Sequence, residues 1–244
     1  MPCDLPAGGS RVRQPGALIA SGRDADIFEC GPGLVVRRSR AGRPMHHEAL
    51  TMEFLRSEGY PVPSVESVSE DGTELVMERI YGRSMVELMS RAPWTITGQG
   101  KLLAELHEHL HSLRAPEFLQ PSPVGEVGNR ILHLDLHPLN VMVTKSGPVV
   151  IDWANTKVGD PDVDVAVAWL LIAGGQIPGG KLLARLLGWG RGILVEGFSS
   201  SFDRSRIASK VRSACEWKCT DAHLSPSEVD RMWSIVDEVE TRWI

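Results

Sequence analysis

Residues 133–153 read HLDLHPLNVMVTKSGPVVIDW, a run in which polar side chains alternate with leucine and proline before two short apolar stretches. Asp135 and Asn140 lie in a segment too polar for a buried strand and too rich in leucine for an ordinary surface loop. The following VMVTKSGPVVI is typical of two strands joined by a turn. Such a hairpin would return Asp152, at the end of the second strand, to the side of Asn140.

The residue types in this segment indicate phosphoryl transfer. The amide oxygen of Asn140 and the carboxylate of Asp152 are hard oxygen donors, which suit Mg²⁺ when phosphate oxygens and water complete the octahedron. Asp135 would lie nearby, free to accept a proton. An aspartate, an asparagine five residues later and a downstream aspartate are the arrangement in which a base orients a hydroxyl and the other two hold the metal.

With these motifs the chain resembles the aminoglycoside phosphotransferase family of small-molecule kinases. The family pattern H-G-D-L-H-P-G-N, then I-D-W, then G-D-P-x-x-D is similar to HLDLHPLN at 133–140, IDW at 151–153 and GDPDVD at 159–164. The resemblance extends from about residue 19 to residue 168. It implies an α+β, protein-kinase-like fold of two lobes, with a small β-rich N-lobe and a larger, mostly helical C-lobe.

The resemblance assigns roles to the loop residues. It makes Asp135 the catalytic base and Asn140 and Asp152 the metal ligands. His137 occupies the position at which protein kinases often carry a lysine, so it is expected near the transferring phosphate of the nucleotide. His133 is expected to support the loop by hydrogen bonds.

Other residues of the motif are expected to be structural. Asp164 would hold the backbone of the catalytic loop, and Asp160 would stabilise its own turn. Leu134 and Leu139 depart from the family pattern, because both stand where the motif usually has glycine.

The first part of the chain carries no G-x-G-x-x-G and no Walker A motif. Residues 17–40 read as two strands joined at Gly31-Pro32-Gly33. Ser21, Gly22 and Ile27 stand where a phosphate-binding turn of a kinase would lie, although a plain hairpin turn explains them equally well.

A cation for the nucleotide phosphates must be arginine here, because the first lysine of the chain is Lys101. Strand alternation places Val35 and Arg37 on one face of LVVRR, with Val35 against the adenine and Arg37 toward the phosphates. Glu48, on the helix predicted for 46–58, is the expected ion-pair partner of Arg37. A solvated run of surface arginines is the alternative.

The segment LVMERIYG at 75–82 resembles the connection between the lobes of the family. The resemblance places Met77 at the back of the nucleotide pocket and the backbone of Glu78 and Ile80 against the base. An ordinary edge strand followed by a turn is the alternative reading of this segment.

The domain organisation predicted is a disordered N-terminus at 1–15, an N-lobe at 16–80 and a C-lobe at 81–244 with the catalytic loop, the metal site and a helical acceptor region. The leucines of 102–113 keep a helical period, and the histidines at 107, 109 and 111, spaced by two, are read as surface or boundary residues. The segment SPSE at 225–228 predicts a capping box and an amphipathic last helix.

Composition excludes several partners. The net charge of -5 and a pI near 5.9 give no basic footprint for nucleic acid. Four scattered cysteines without a C-x-x-C spacing favour a reducing cytoplasm, and no apolar run is long enough to span a membrane. The expected state is a cytoplasmic monomer or dimer.

The predicted function is transfer of the γ-phosphoryl group of ATP, or of GTP as an alternative, to a hydroxyl of a small molecule with Mg²⁺. An aminoglycoside-like acceptor is the leading hypothesis, since residues 221–244 carry six acidic side chains against two arginines. A solvated acidic face explains the same charges. The alternatives are a kinase of choline, homoserine or another amino alcohol, a nucleotide-binding pseudokinase that regulates a partner, and a bare interaction module.

Overall fold

The computed structural model describes residues 15–22, 24–175, 181–221 and 224–243, without the side chains of 181–189, 240, 242 and 243. The predicted disordered terminus therefore lies almost entirely outside the described residues. The chain divides into two compact units. The first runs up to Leu50 and continues with Ser64–Arg79, and the second takes Thr51–Pro63 and everything from Ile80 onward.

The first unit is built on an antiparallel five-stranded sheet. Its spatial order is β1-β2-β3-β5-β4. The strands are β1 (Leu18–Ser21), β2 (Ala25–Glu29), β3 (Leu34–Ser39), β4 (Val65–Val68) and β5 (Glu74–Glu78). Gly31 and Gly33 turn the chain between β2 and β3 with φ of 93° and 72°, a region in which a side chain is strained.

The sequence predicted two strands where the structure has three. The chain reverses once more at Gly22, whose N–H donates to the carbonyl of Ala25 at 2.9 Å. Stretches as short as β1 and β2 carry too few residues for alternation to separate them from one bent strand. The candidate phosphate-binding turn is therefore the β1–β2 turn of the sheet.

Helix α1 runs from His46 to Ser57. Gly59, just after its end, has a φ of 79° and turns the chain away from the helix axis. Residues 51–63 pack with the second unit rather than with the first, which differs from a boundary at residue 80 alone. Tyr60 shows why: its hydroxyl donates to the carbonyl of Leu106 at 3.0 Å, and its ring meets Trp153 edge-on at 5.5 Å.

The second unit is mostly helical. Its helices are α2 (Met85–Arg91), α3 (Ile96–Ser112), α4 (Pro161–Gly174), α5 (Lys181–Ser199), α6 (Arg204–Lys218) and α7 (Pro226–Trp243). Two small antiparallel sheets accompany them: β6 (Arg83–Ser84) with β8 (Val141–Thr144) and β9 (Gly147–Val150), and β7 (Arg130–Leu132) with β10 (Lys157–Gly159).

Helix α4 is the centre of this unit, and residues 163–170 are all buried. It is covered by α5, α6 and α7, which is why its sequence is apolar all round rather than on one stripe. Helix α3 approaches α5 closely at Gly100, where a Cβ would lie 2.8 Å from the carbonyl oxygen of Leu194.

Helix α7 begins with the capping box expected from the sequence. The N–H of Ser225 donates to Glu228 Oε2 at 2.9 Å, and the N–H of Glu228 donates back to Ser225 Oγ at 3.3 Å. Met232, Val236 and Val239 form its buried face. Within the described residues, no helix has the length and apolar character required to cross a membrane.

Candidate active site

The loop at 133–140 is anchored by its leucines. Leu134 and Leu136 are fully buried, whereas the carboxylate between them, Asp135, keeps 18% of its side-chain surface exposed. Burial of two leucine side chains contributes about 3 kcal/mol or more to stability. The leucines therefore fix the loop in the second unit, and the side chain of Asp135 between them stays partly exposed.

Leu134 adopts a left-handed backbone conformation, which glycine adopts without strain. Its φ is 59°, in the left-handed region, and Asp152 also lies there with a φ of 68°. A side chain in this region costs about 1 kcal/mol. Burial of the Leu134 side chain offsets that cost, so a leucine can be accommodated at this position. Leu139 is 45% exposed and has no such φ.

Asp164, in the first turn of α4, anchors the backbone of the loop at 133–140. Its Oδ1 accepts the N–H of Leu134 at 2.6 Å, and its Oδ2 accepts the N–H of His133 at 3.0 Å and lies 2.9 Å from Nε2 of His111. Burial alone would raise the pKa of this carboxyl, but the hydrogen bond and charge of His111 hold it well below its usual range.

Of the three histidines of α3 that were predicted to be surface or boundary residues, only His107 differs from the prediction, because His109 is exposed and His111 is partly buried. His107 is fully buried, with Nδ1 2.8 Å from the carbonyl oxygen of Leu103 and its ring 5.2 Å from that of Phe198. Burial lowers the pKa of His107 to about 4. His111 is 9% exposed at its side chain and bonds to Asp164. His107 and His111 are four residues apart and therefore share one face of α3, whereas His109 is exposed.

Asn140 links the loop at 133–140 to the β8–β9 hairpin. Its Nδ2 donates to the carbonyl of Asp135 at 2.9 Å and lies 3.3 Å from Asp135 Oδ2. Its own backbone carbonyl accepts the N–H of Ile151 at 2.9 Å, one residue before Asp152. The β8–β9 hairpin thus returns Asp152 to the chain position opposite Asn140, as the strand-turn-strand pattern predicts.

The donor set here fits a hard divalent cation. Since the amide nitrogen of Asn140 is engaged with Asp135, the amide oxygen is the atom left to face a ligand. An amide oxygen and the carboxylate of Asp152 are ligand types that Mg²⁺ accepts. Among the residues that the structure describes, no cluster of three or more His, Cys, Asp or Glu side chains forms a complete metal cage.

His137 lies beside Asp135 but is not a source of positive charge. Its Nδ1 accepts the N–H of Leu139 at 3.3 Å, and its Nε2 is 3.7 Å from Asp135 Oδ2. Burial lowers the pKa of His137, against the opposing effect of the Asp135 charge. The imidazole is therefore neutral at pH 7.

Lys218 is a site residue that the sequence analysis missed. Its Nζ donates to Asp135 Oδ1 at 2.9 Å, and its side chain is 8% exposed. The residue ends α6, far along the chain and outside every motif. One signal was available: Lys218 falls on the same helical face as the buried Val211, Ala214 and Cys215, a position where a lysine is unusual unless it is paired.

In the first unit the structure brings Arg37 and Glu48 together. Arg37 Nη1 is 2.5 Å from Glu48 Oε1, and the two side chains are 10% and 5% exposed. The register of β3 places Arg37 opposite Ile27 on one side and Leu75 on the other, and Val35 opposite Met77. Arg37 is thus held in place by a partner on α1 rather than lying in a solvated run.

The turn before β2 carries its own polar network. Ser21 Oγ donates to Asp26 Oδ1 at 2.6 Å, and Arg40 binds both of these side chains. The hydrogen bond from Arg40 lowers the pKa of Asp26. Ser21 and Gly22 are exposed at this turn, so their backbone is accessible to a ligand.

Two backbone donors of the segment at 77–80 are already used, and one of them is the N–H of Arg79, which donates to the carbonyl of Gly33 at 2.9 Å. The N–H of Glu78 donates to the carbonyl of Ser64 at 2.9 Å, and the Glu78 carboxylate accepts the N–H of Ser64 at 3.1 Å. A nucleotide base at this segment would therefore meet the carbonyl of Glu78 rather than its N–H. Ile80 is the first residue that belongs with the second unit again.

Known proteins share both a sequence signature and the fold with this chain. The model of the family described as phosphotransferase enzyme family matches residues 98–194, which include the catalytic loop, the β8–β9 hairpin and α4. No curated protein matches the chain in sequence.

Solved structures match over most of the chain. A choline/ethanolamine kinase family protein from Mesorhizobium loti superposes with a TM-score of 0.62 at 14% identity, over 92% of this chain and 88% of that one. An aminoglycoside-3'-phosphotransferase of type VIII superposes with a TM-score of 0.55 at 19% identity, over 94% and 96%.

A third structure is a complex. It is a thermostable mutant of the aminoglycoside phosphotransferase APH(4)-Ia with AMP-PNP and hygromycin B, at a TM-score of 0.55 and 15% identity, over 91% of this chain and 92% of that one. The predicted α+β class is confirmed by these folds. The resemblance inferred from the catalytic-loop motifs is confirmed as well: residues 98–194 match the phosphotransferase enzyme family, and the fold is that of small-molecule kinases.

Proposed function

We propose that this chain is an ATP- and Mg²⁺-dependent kinase that transfers the γ-phosphoryl group to a hydroxyl of a small molecule. The observation that carries the proposal is the geometry around Asn140. Its amide nitrogen donates to Asp135, and its backbone carbonyl accepts the N–H next to Asp152. Asn140, itself a proposed metal ligand, thus connects the proposed base with the chain next to the second proposed ligand, Asp152.

Asp135 is the catalytic base in this proposal. Its partly exposed carboxylate would accept the proton of the acceptor hydroxyl, and the buried leucines and Asp164 fix its position. Asn140 and Asp152 would hold Mg²⁺. The metal would neutralise negative charge on the phosphates of the nucleotide.

The first unit would supply the nucleotide contacts. Arg37 would pair with phosphate oxygens while Glu48 fixes its direction, and the exposed backbone at Ser21 and Gly22 would approach the phosphates. Val35, Ile27 and Met77 would contact the base, which the backbone of Glu78 and Ile80 would recognise. The APH(4)-Ia complexes with AMP-PNP and with ADP support a nucleotide in this fold.

An aminoglycoside-like acceptor remains the leading candidate. The hygromycin B bound in the APH(4)-Ia complex supports it. The acidic residues of 221–244 support an aminoglycoside-like acceptor less than their number indicated. Glu228 closes the capping box of α7, and Asp221 lies 3.6 Å from Lys218. Asp230 and Glu238 remain as exposed carboxylates of α7.

A second candidate is an amino-alcohol kinase. The choline/ethanolamine kinase family protein has the higher TM-score, 0.62 against 0.55 for the two aminoglycoside enzymes described above. A small amino alcohol needs fewer carboxylates around it than a polycationic antibiotic, which agrees with the structural use of Asp221 and Glu228.

A coupled assay of ADP release tests the proposal. The purified chain would be supplied with MgATP and a panel of aminoglycosides, macrolides, amino alcohols and sugars, with the D135N variant as the matched control. Acceptor-dependent ADP release that D135N abolishes is the expected result. A D135N protein with full turnover would contradict the role of Asp135. Thermal stabilisation by MgATP without turnover on any acceptor would instead favour the pseudokinase.

A further inference from the structure

Lys218 meets the proposed base in a nearly enclosed setting. Its Nζ is 2.9 Å from Asp135 Oδ1 and 3.6 Å from Asp221 Oδ2, and 8% of the side chain is exposed. Burying an ammonium costs several kcal/mol unless charged partners compensate. An apolar side chain at this position of α6 would pack at no such cost, so packing alone does not account for a lysine here.

The loop around Asp135 lacks a positive charge of its own. Residues 133–140 contain no lysine or arginine. Phosphoryl transfer places negative charge on the equatorial oxygens of the transferring group, and enzymes stabilise that charge with fixed cations.

The ammonium of Lys218 has enough N–H donors to bind Asp135, Asp221 and one further group. It carries three N–H bonds. One points to Asp135 Oδ1, and a second faces the carboxylate of Asp221. A third can donate to an oxygen of a group that arrives next to Asp135, where the acceptor hydroxyl and the transferring phosphoryl must meet if Asp135 is the base.

We propose that Lys218 is a catalytic residue that donates a hydrogen bond to the transferring phosphoryl group. This inference rests on the proposed kinase function. In the reaction the acceptor oxygen forms a bond to the γ-phosphorus, and its proton passes to Asp135. The bond from the γ-phosphorus to the bridging oxygen breaks with its electron pair going to ADP. Lys218 keeps its protons throughout.

Binding of aluminium fluoride with MgADP tests the role of Lys218 without knowledge of the acceptor. The fluoride complex mimics the phosphoryl group in the transition state of transfer. The variant is K218M, which keeps length and removes charge. The control is K210M on the same helix, since Lys210 pairs with Glu126 and Asp160, away from the loop. MgADP affinity is measured by calorimetry with and without aluminium fluoride.

For K218M we expect MgADP affinity within about twofold of the wild type and a loss of the aluminium fluoride enhancement of about 10²-fold, the effect of removing one transition-state donor. K210M should keep the enhancement. A K218M protein that keeps the enhancement, or that loses MgADP affinity to the same extent, would overturn the role of Lys218. A wild type that binds no MgADP at all would instead refute the proposed kinase function.

A folding defect does not block the test. If K218M fails to fold because Asp135 loses its ammonium partner, the same comparison is made between D135N and the D135N/K218M double variant, in which residue 135 carries no charge. The double variant should again lose the enhancement that D135N retains. Equal enhancement in the two proteins would show that Lys218 only anchors α6.

Discussion

Asp164 Oδ2 lies 2.9 Å from His111 Nε2, and the same carboxylate accepts the backbone N–H groups of His133 and Leu134. One buried side chain of α4 therefore joins α3 to the first residues of the catalytic loop. The loop itself is short, and its conformation includes a leucine with positive φ. Its geometry consequently depends on a residue that touches no substrate.

The D164N substitution tests this dependence. Three donors share the two oxygens of Asp164, whereas an asparagine offers one acceptor oxygen and turns its amide N–H toward the other donors. We expect a loss of about 3 kcal/mol in the free energy of unfolding by urea. The control is D162N, because Asp162 pairs with the 67% exposed Arg206. That change should cost less than about 1 kcal/mol. Equal stability of D164N and D162N would contradict the argument.

His107 should make stability depend on pH. Burial lowers its pKa from 6.5 to about 4, so the unfolded chain binds more protons between these two values. Its contribution is present in full above pH 6.5 and declines as the pH falls toward 4, by about 3 kcal/mol in total. The H107Q variant should show a flatter profile of unfolding free energy over this range. H109Q, at an exposed position of the same helix, should keep the wild-type slope.

The catalytic loop and the hairpin after it could be predicted because their determinants are local. The turn residues, the alternation of apolar and polar side chains, and the spacing of Asp135, Asn140 and Asp152 all lie within the single stretch 135–152. Local patterns fix register and therefore which residues become neighbours. The pairing of Arg37 with Glu48 follows the same logic, since one strand and the next helix carry it.

Contacts between distant helices could not be predicted in this way. Lys218 and Asp135 are 83 residues apart, and no sequence pattern in α6 indicates that this helix contacts the loop. The burial of His107 depends on α5 covering α3, which is tertiary packing that the spacing of three histidines does not encode. The β1–β2 turn was missed for a different reason, since its strands are too short to show a period.

Leu134 offers a test of strain against burial. L134G relieves the positive φ of 59° but removes a fully buried side chain, whereas L134A removes most of the side chain and keeps the strain. Loss of a buried leucine costs about 2 to 5 kcal/mol, and the left-handed conformation about 1 kcal/mol. The expected order of unfolding free energy is wild type, then L134G, then L134A. An L134G protein more stable than the wild type would show that strain outweighs burial here.

Arg37 should affect nucleotide affinity independently of the acceptor. R37M removes the cation that Glu48 holds at 2.5 Å. Since that cation would face the phosphates, we expect MgATP to bind about tenfold more weakly. The control R38M removes the neighbouring arginine, which is 43% exposed and pairs with Glu74. Its effect should stay within about twofold. Fluorescence titration with a nucleotide analogue measures both. Equal weakening by R37M and R38M would mean that general positive charge, rather than the buried Arg37, attracts the phosphates.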